Sequence, residues 1–382
     1  MAPVVSVLMP VRNGGRYLVP ALDSVLGQTG VAFELICIDD GSRDGSWQTL
    51  NRFAALDPRM QVHRAEGRGI AEALNQAASC ARGRYLARMD QDDICLPGRL
   101  AVQARCLEAH PEIGVLGTQA QVIDADGMIT GRQRVPVGPE RVRAALETSS
   151  PFIHPTVMMR REALLRAGSY RKLFDGAEDY ELWLRMAALV GLDNLPQTLL
   201  LYRRHAQQAT AWRPFRQARR AAMAVVAYRL RRERGLDPLA RMTRMSQWRA
   251  AFAAIDPAAV DDVRHLTASL LVDNGGTLRR LGAAYFHIAC RSARAKSSLR
   301  VRRRLALACV RHELQVLRSR RPLEALRTVS MDVSRWPRDM VYGYIWHASI
   351  LWRAAPPSWT LWPVGGQPPL SRAAELERAT RH

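Results

Sequence analysis

Lysine is nearly missing from this chain: of 56 basic residues only Lys172 and Lys296 are Lys, and the rest are Arg. Cysteine is sparse as well, with six in 382 residues and no Cys-x-x-Cys spacing that offers a zinc site. No stretch reaches the ~20 uncharged apolar residues that a membrane-spanning helix needs. The phosphate-binding patterns G-x-x-x-x-G-K-[ST] and G-x-G-x-x-G are both absent. The opening segment, MAPVVSVLMP, has neither the basic flank nor the small-residue cleavage site of a secretory signal. These absences favour a cytoplasmic chain whose six thiols stay reduced.

What is present is globular in balance, with 48% apolar and 24% charged residues. The length exceeds one ordinary core and predicts more than one domain. Net charge of +21 is unevenly divided: residues 1–209 hold 24 basic and 23 acidic residues, whereas 210–382 hold 32 and 12. Only the second part is basic, and a solvated helical surface is the plainest account of it.

The first part alternates strands and helices. VVSVLMPV (4–11) reads as a strand covered on both faces, and FELICIDD (33–40), a short piece near QVHR (61–64) and RYLARMD (84–90) read as further strands. Tyr17, Leu18, Ala21, Leu22, Val25 and Leu26 recur at helical spacing, as do Ile70, Leu74 and Ala77 within 68–81. The pattern predicts an open, mostly parallel α/β sheet whose ligands bind beyond the carboxyl ends of its strands. Three segments leave strands at that edge: Pro10 to Asn13, Asp39 to Ser42, and Asp90 to Asp93. Carboxylates gathered so closely need a counterion, and a hard divalent cation, Mg²⁺ or Mn²⁺, takes oxygen ligands together with substrate phosphates.

PVRNGGRYLVPALDSVLGQT, FELICIDDGSRDGS, RGIAEALN, RYLARMDQDD and HPTVMMRREALLRAGSYRKLFDGAEDYELWLRMA resemble, in order, the successive blocks of family 2 glycosyltransferases with the GT-A fold. The resemblance spans residues 4–208 and implies inverting, metal-assisted transfer of a sugar from a nucleotide donor to an acceptor hydroxyl, with a UDP-sugar favoured as donor. It implies that Pro10, Arg12 and Asn13 line the nucleotide pocket, and that Asp39 or, by preference, Asp40 accepts from the base N–H. Gly69 and Asn75 match the block that approaches the nucleotide. Asp90 fits a ribose contact and, within the Asp90-Gln91-Asp92 element, a metal ligand beside Asp92, and His205 fits a further ligand, with Arg203 or Arg204 offsetting phosphate charge. Asp179 would be the general base and Glu178 its orienting or acceptor-binding neighbour. Competing structural readings are a turn at Asp40-Gly41-Ser42, a helix cap or loop tie at Asp93, an N-terminal helix charge at Glu178 and Asp179, a helix-face role for Asn75 and a packed His154. Leu182, Trp183, Met186 and Leu189 are expected on one helical face. The Gln-x-x-Arg-Trp pattern of processive members is absent, which favours single-sugar addition.

The expected organisation is a catalytic domain over 1–209, a basic α-helical region over 210–355 and a flexible tail over 356–382. Arg-rich faces beside Trp and Tyr, as in MVYGYIWHASILWR (340–353), suit an anionic membrane surface that presents a lipid-linked or other glycan acceptor, and suit self-association or a protein partner equally. Localisation would then be cytoplasmic, peripheral on the inner membrane face. The rival readings are a metal-dependent nucleotidyltransferase and a nucleotide- or nucleic-acid-binding protein with a basic arm. Nucleic acid is disfavoured as a partner, because no recognised module is present and the acidic crevice repels a phosphate backbone.

Overall fold

The computed structural model describes residues 2–205, 214–240 and 242–273. Three apolar runs and one short mixed segment form parallel strands, β1 (Val5–Val11), β2 (Phe33–Asp39), β3 (Met60–Arg64, the mixed one) and β4 (Tyr85–Arg88), side by side in the order β3-β2-β1-β4. Alternate side chains point to opposite faces. Val5, Val7, Met9, Leu35, Cys37 and Ala87 therefore enter one apolar cluster, and Leu8, Ile36, Ile38 and Leu86 enter the other. Helices cover both faces, which is why neither parity carries a regular polar pattern.

Between these strands lie α1 (Leu18–Leu26), α2 (Ser46–Leu56) and α3 (Ile70–Cys80). The sequence pattern passes from the turn after Asp40 straight to the third strand and gives no sign of α2. Its apolar stripe is thin: Leu50 is buried, Phe53 and Ala54 are half-buried, and Leu56 is exposed.

The chain continues through β5 (Ile94–Cys95), α4 (Arg99–Ala109), β6 (Ile113–Ile123), β7 (Ile129–Gln133), α5 (Pro139–Ala145), β8 (Met158–Arg160), α6 (Arg161–Arg166), α7 (Glu178–Met186) and β9 (Gly191–Arg203). These extend the sheet as β4-β8-β6-β9-β5, with β7 paired to β6. β8 runs antiparallel to β4 and β6, whereas β6 and β9 are parallel, so the mostly parallel sheet has a mixed second half. Leu182, Trp183 and Met186 of α7 are fully buried as their spacing predicts, and burial of each such side chain stabilises by roughly 1.5–3 kcal/mol. Leu189 departs from the expected face: α7 ends at Met186, and Leu189 is 38% exposed beyond it. Nor is Asp93 a helix cap, since α4 starts at Arg99 after Gly98 with no side-chain cap.

Beyond the sheet, α8 (Pro214–Arg234), α9 (Trp248–Ala253) and α10 (Pro257–Asp273) are helical. Ala221, Ala222, Val225 and Val226 of α8 share an apolar cluster with Trp183 and Met186 of α7 and with Val263 of α10. A charged seam reinforces this packing. Arg171 bridges Glu181 and Asp237, each at 3.1 Å, while Arg185 pairs with Glu181 at 2.7 Å and Arg231 with Asp237 at 3.2 Å. Among the described residues no helix is long and apolar enough to cross a membrane. The part of the expected basic α-helical region beyond residue 273, the aromatic stretch at 340–353 and the tail over 356–382 lie outside the described residues.

Candidate active site

The parallel strands all end at one edge, and their loops interlock there. Asn13 sits at φ +53, a left-handed conformation that Asn tolerates better than most residues. Its backbone N–H donates to Ser42 Oγ at 2.9 Å, and its Oδ1 accepts from the Arg43 N–H at 2.8 Å. The next two amides donate to Ser46 Oγ and Asp44 Oδ2. Pro10 occupies the β1 position opposite Ile38 of β2. Gln91 reaches across from the third loop, accepting from the Arg12 N–H at 2.6 Å and donating to the Arg12 carbonyl at 3.0 Å.

Two buried carboxylates line this edge. Asp39 accepts from the Ser42 N–H through Oδ1, with Arg64 Nε 3.6 Å from its Oδ2. Asp40 accepts from the Gly69 N–H at 3.1 Å and faces the Arg12 guanidinium at 3.6 Å. The turn reading of Asp40-Gly41-Ser42 is thus present in the geometry, yet Asp39 Oδ2 and Asp40 Oδ1 are buried without a hydrogen-bond partner. Native structures rarely leave such atoms unsatisfied.

Gly69 has φ +104, and a Cβ there would lie 2.2 Å from Asp175 Oδ2. Asp175 in turn accepts from the Ala71 N–H at the start of α3. Asn75 engages Tyr170: its Nδ2 donates to the Tyr170 carbonyl at 2.8 Å and its Oδ1 accepts from the Tyr170 N–H at 2.9 Å.

The Asp90, Asp92 and Asp93 carboxylates converge, with oxygens within 4.8 Å of one another. Strand register brings the partner. β5 pairs antiparallel with β9, Ile94 opposite Leu201, so the residues just before Ile94 meet those just after Leu201. His205 Nε2 lies 2.8 Å from Asp92 Oδ2, and its ring rests 4.7 Å from that of Tyr17. Arg203 ties the loop by donating its N–H to Asp93 Oδ1 at 2.8 Å and its Nε–H to the Asp92 carbonyl. Burial and then the Asp90 charge push the Asp92 carboxyl up, against the opposing pull of His205. Burial, Asp90 and Asp92 push Asp93 well above the usual range. Clustered oxygen donors and the unpartnered Asp93 Oδ2 fit a hard divalent cation, with His205 Nε2 beside Asp92 as a further donor.

Arg88 links this cluster to the start of α7. Only 2% exposed, it donates to Asp90 Oδ1 at 2.6 Å, and its charge is also felt by Glu178, Asp179 and Tyr170. Glu178 is buried, accepts from the Gly176 N–H and is pushed up to about 8 by burial and by Asp179. Burial also raises Asp179, which Arg88 lowers and Asp90 raises, so both acidic groups share one electrostatic neighbourhood. His154 packs edge-on against Trp183 and lies 3.2 Å from Tyr170 Oη; burial and then Arg88 hold its ring neutral. It is a packed His, the structural alternative that the sequence offers for it.

Sequence reasoning overlooked Arg88, Gln91 and Asp175. For Arg88 a signal existed: a cation inside an apolar strand, at the parity of Leu86, must find a buried partner. For Asp175 none did, because its contacts with Gly69 and Ala71 span more than a hundred residues.

The sequence profile described as Glycosyl transferase family 2 matches residues 6–168. The chain is 36% identical over 187 residues to the putative glycosyltransferase EpsE of Bacillus subtilis (strain 168), a match covering 48% of this chain and 66% of that protein. It is 32% identical over 206 residues to the O-antigen biosynthesis glycosyltransferase WbnJ of Escherichia coli, covering 53% of this chain and 80% of that one. The structure of S. aureus TarS 1-349 in complex with UDP-GlcNAc superposes with a TM-score of 0.52 at 17% identity, covering 81% of this chain and 91% of that one. The mannosyltransferase PcManGT from Pyrobaculum calidifontis, in complex with GDP-Man and Mn2+, does so at 0.50 and 20% identity, covering 93% and 89%. The two structural matches speak to the fold alone.

Proposed function

The chain belongs to the family 2 glycosyltransferases and has the GT-A fold, and from that premise we propose that it moves one sugar from a nucleotide-sugar donor to an acceptor hydroxyl, with inversion. One observation carries the reading: the Asp90, Asp92 and Asp93 carboxylates converge, and buried Arg88, hydrogen-bonded to Asp90, lies close enough to Glu178 and Asp179 for their charges to interact. A donor diphosphate held at that cluster would then lie near the acids that receive the acceptor hydroxyl.

Asp39 or, by preference, Asp40 would accept from the base N–H, a reading supported by the unpartnered buried oxygen on each, and Pro10, Arg12 and Asn13 would line the same pocket. Asp90 and Asp92, with His205, would hold Mg²⁺ or Mn²⁺, which when bound neutralises charge gathering on the leaving nucleoside diphosphate. Environment separates the roles of the acidic pair. Burial raises both acids, Glu178 to about 8, while the Arg88 charge pulls Asp179 back and Asp179 is the more exposed of the two, which favours Asp179 as the base. Asp179 then takes the acceptor hydroxyl's proton as oxygen attacks the anomeric carbon from the face opposite the diphosphate. By analogy with the O-antigen relative, the acceptor is a growing polysaccharide or lipid-linked glycan.

A panel of UDP-, GDP- and dTDP-sugars, each with Mg²⁺ or Mn²⁺, tests the reading. Release of nucleoside diphosphate supports sugar transfer or its slow hydrolytic counterpart. Release of pyrophosphate, or of neither product from any donor, rejects it.

A further inference from the structure

Most of the chain's excess positive charge follows residue 209, and α8 carries one of those arginines against the segment that precedes α7. Arg220 is 4% exposed, and its Nη1 donates to the main-chain carbonyl of Asp175. Its guanidinium also feels the charges of Asp175 and Glu178. Burial and the neighbouring Arg216 lower its pKa only to about 10, so it stays cationic at neutral pH. No carboxylate forms an ion pair with it among the described residues, and its Nε has no hydrogen-bond partner. A cation buried on such terms is costly, and an apolar side chain of similar volume would pack there at less cost. Its retention calls for a positional account.

The bend it grips supplies one. Asp175, Gly176 and Ala177 turn the chain into α7, with Gly176 at φ +92, the Ala177 N–H donating to the Phe174 carbonyl at 2.7 Å and the Gly176 N–H donating to Glu178. The Asp175 side chain is fixed separately, on Ala71 of α3. α8 is a rigid platform for the grip, because Ala221, Ala222, Ala224 and Val225 around Arg220 are buried in the cluster that holds α7.

We infer that Arg220 is a positioning residue for the Glu178–Asp179 pair: by holding the Asp175 carbonyl it fixes the bend from which α7 starts, and hence where the Asp179 carboxylate meets the acceptor hydroxyl. This rests on the reading of Asp179 as the base. Among the described residues Arg220 forms no hydrogen bond or ion pair with the loops around Asp40 or with the Asp90–Asp93 cluster, and its tie toward Gly69 runs only through Asp175. Its loss should therefore fall on turnover rather than on donor binding.

The test uses the full chain and nucleoside diphosphate release from the donor that the panel selects. Misplacing a reacting group by about 1 Å costs up to ~10²-fold, so Arg220→Gln should lower kcat by about ten- to a hundredfold with donor KM within about twofold, and Arg220→Lys should fall between it and wild type. In an Asp179→Asn background the Gln substitution should add little, because both changes act through one group. Unchanged kcat in Arg220→Gln, a loss expressed in KM, or a full additional loss on Asp179→Asn would overturn the inference. Should Arg220→Gln not fold, Arg220→Lys decides alone: a kcat reduced at least about threefold at unchanged KM supports the role, and wild-type kcat rejects it. Normal turnover by Asp179→Asn would instead remove the base assignment, whatever Arg220 does.

Discussion

His205 Nε2 stands 2.8 Å from Asp92 Oδ2, across 113 residues of sequence, and the ring of Tyr17 backs the imidazole at 4.7 Å. The end of β9 thereby closes over the acidic loop after β4. His205→Ala removes this partner without disturbing the Arg203 ties to Asp92 and Asp93. The expected result is an apparent Mn²⁺ affinity weakened by roughly ten- to a hundredfold, read from metal titration of nucleoside diphosphate release. Asp92→Ala should abolish the metal response altogether.

The acidic pair predicts unequal variants. Asp179→Asn should lose at least about two orders of magnitude in turnover while donor binding, measured by calorimetry, is retained. Glu178→Gln mimics the protonated form that Glu178 already holds at neutral pH, and should keep turnover within about tenfold of wild type.

Stability should depend on pH through the same residue. Folding raises the Glu178 carboxyl from its ordinary value of 4.5 to about 8, so between those values the folded chain binds a proton that the unfolded chain has released. Glu178 therefore contributes least destabilisation at acidic pH, and the folded state loses stability as pH climbs through that window. Urea midpoints taken at intervals from pH 5 to 8.5 should show a downward component in wild type that is flattened in Glu178→Gln.

Gly69 combines a left-handed φ of +104 with an approach so close that an added methyl would lie 2.2 Å from Asp175 Oδ2. Gly69→Ala should cost roughly 1–3 kcal/mol in urea unfolding. Adding Asp175→Ala removes the crowding oxygens but leaves the backbone strain in place, so, measured against Asp175→Ala alone, the pair should recover only part of the loss. Full recovery would show that crowding, rather than the backbone, sets the cost.

Much of the first half was legible because parallel strands covered on both faces are written as unbroken apolar runs, and loops at their carboxyl ends gather the polar groups. Val5–Val11, Phe33–Asp39 and Tyr85–Arg88 announce themselves in that way, as do the acids that follow them. α2 was hidden because a helix that buries little beyond Leu50 has little periodicity to show. Leu189 was misplaced because periodicity continues past the point where a helix stops.

The amino-acid order by itself determined the alternating elements, the location of the acidic segments and the charge asymmetry between the two parts, since each depends on local spacing or on counting. Only the tertiary structure decided that Arg88 would join Asp90 to the α7 acids, that Gln91 would clasp Arg12, and that Arg220 would reach the Asp175 carbonyl. The physical reason is the same in each case. Burying a charged or polar group is tolerable only where a partner is delivered to it, and delivery across tens of residues depends on strand register and helix packing, which no local pattern encodes.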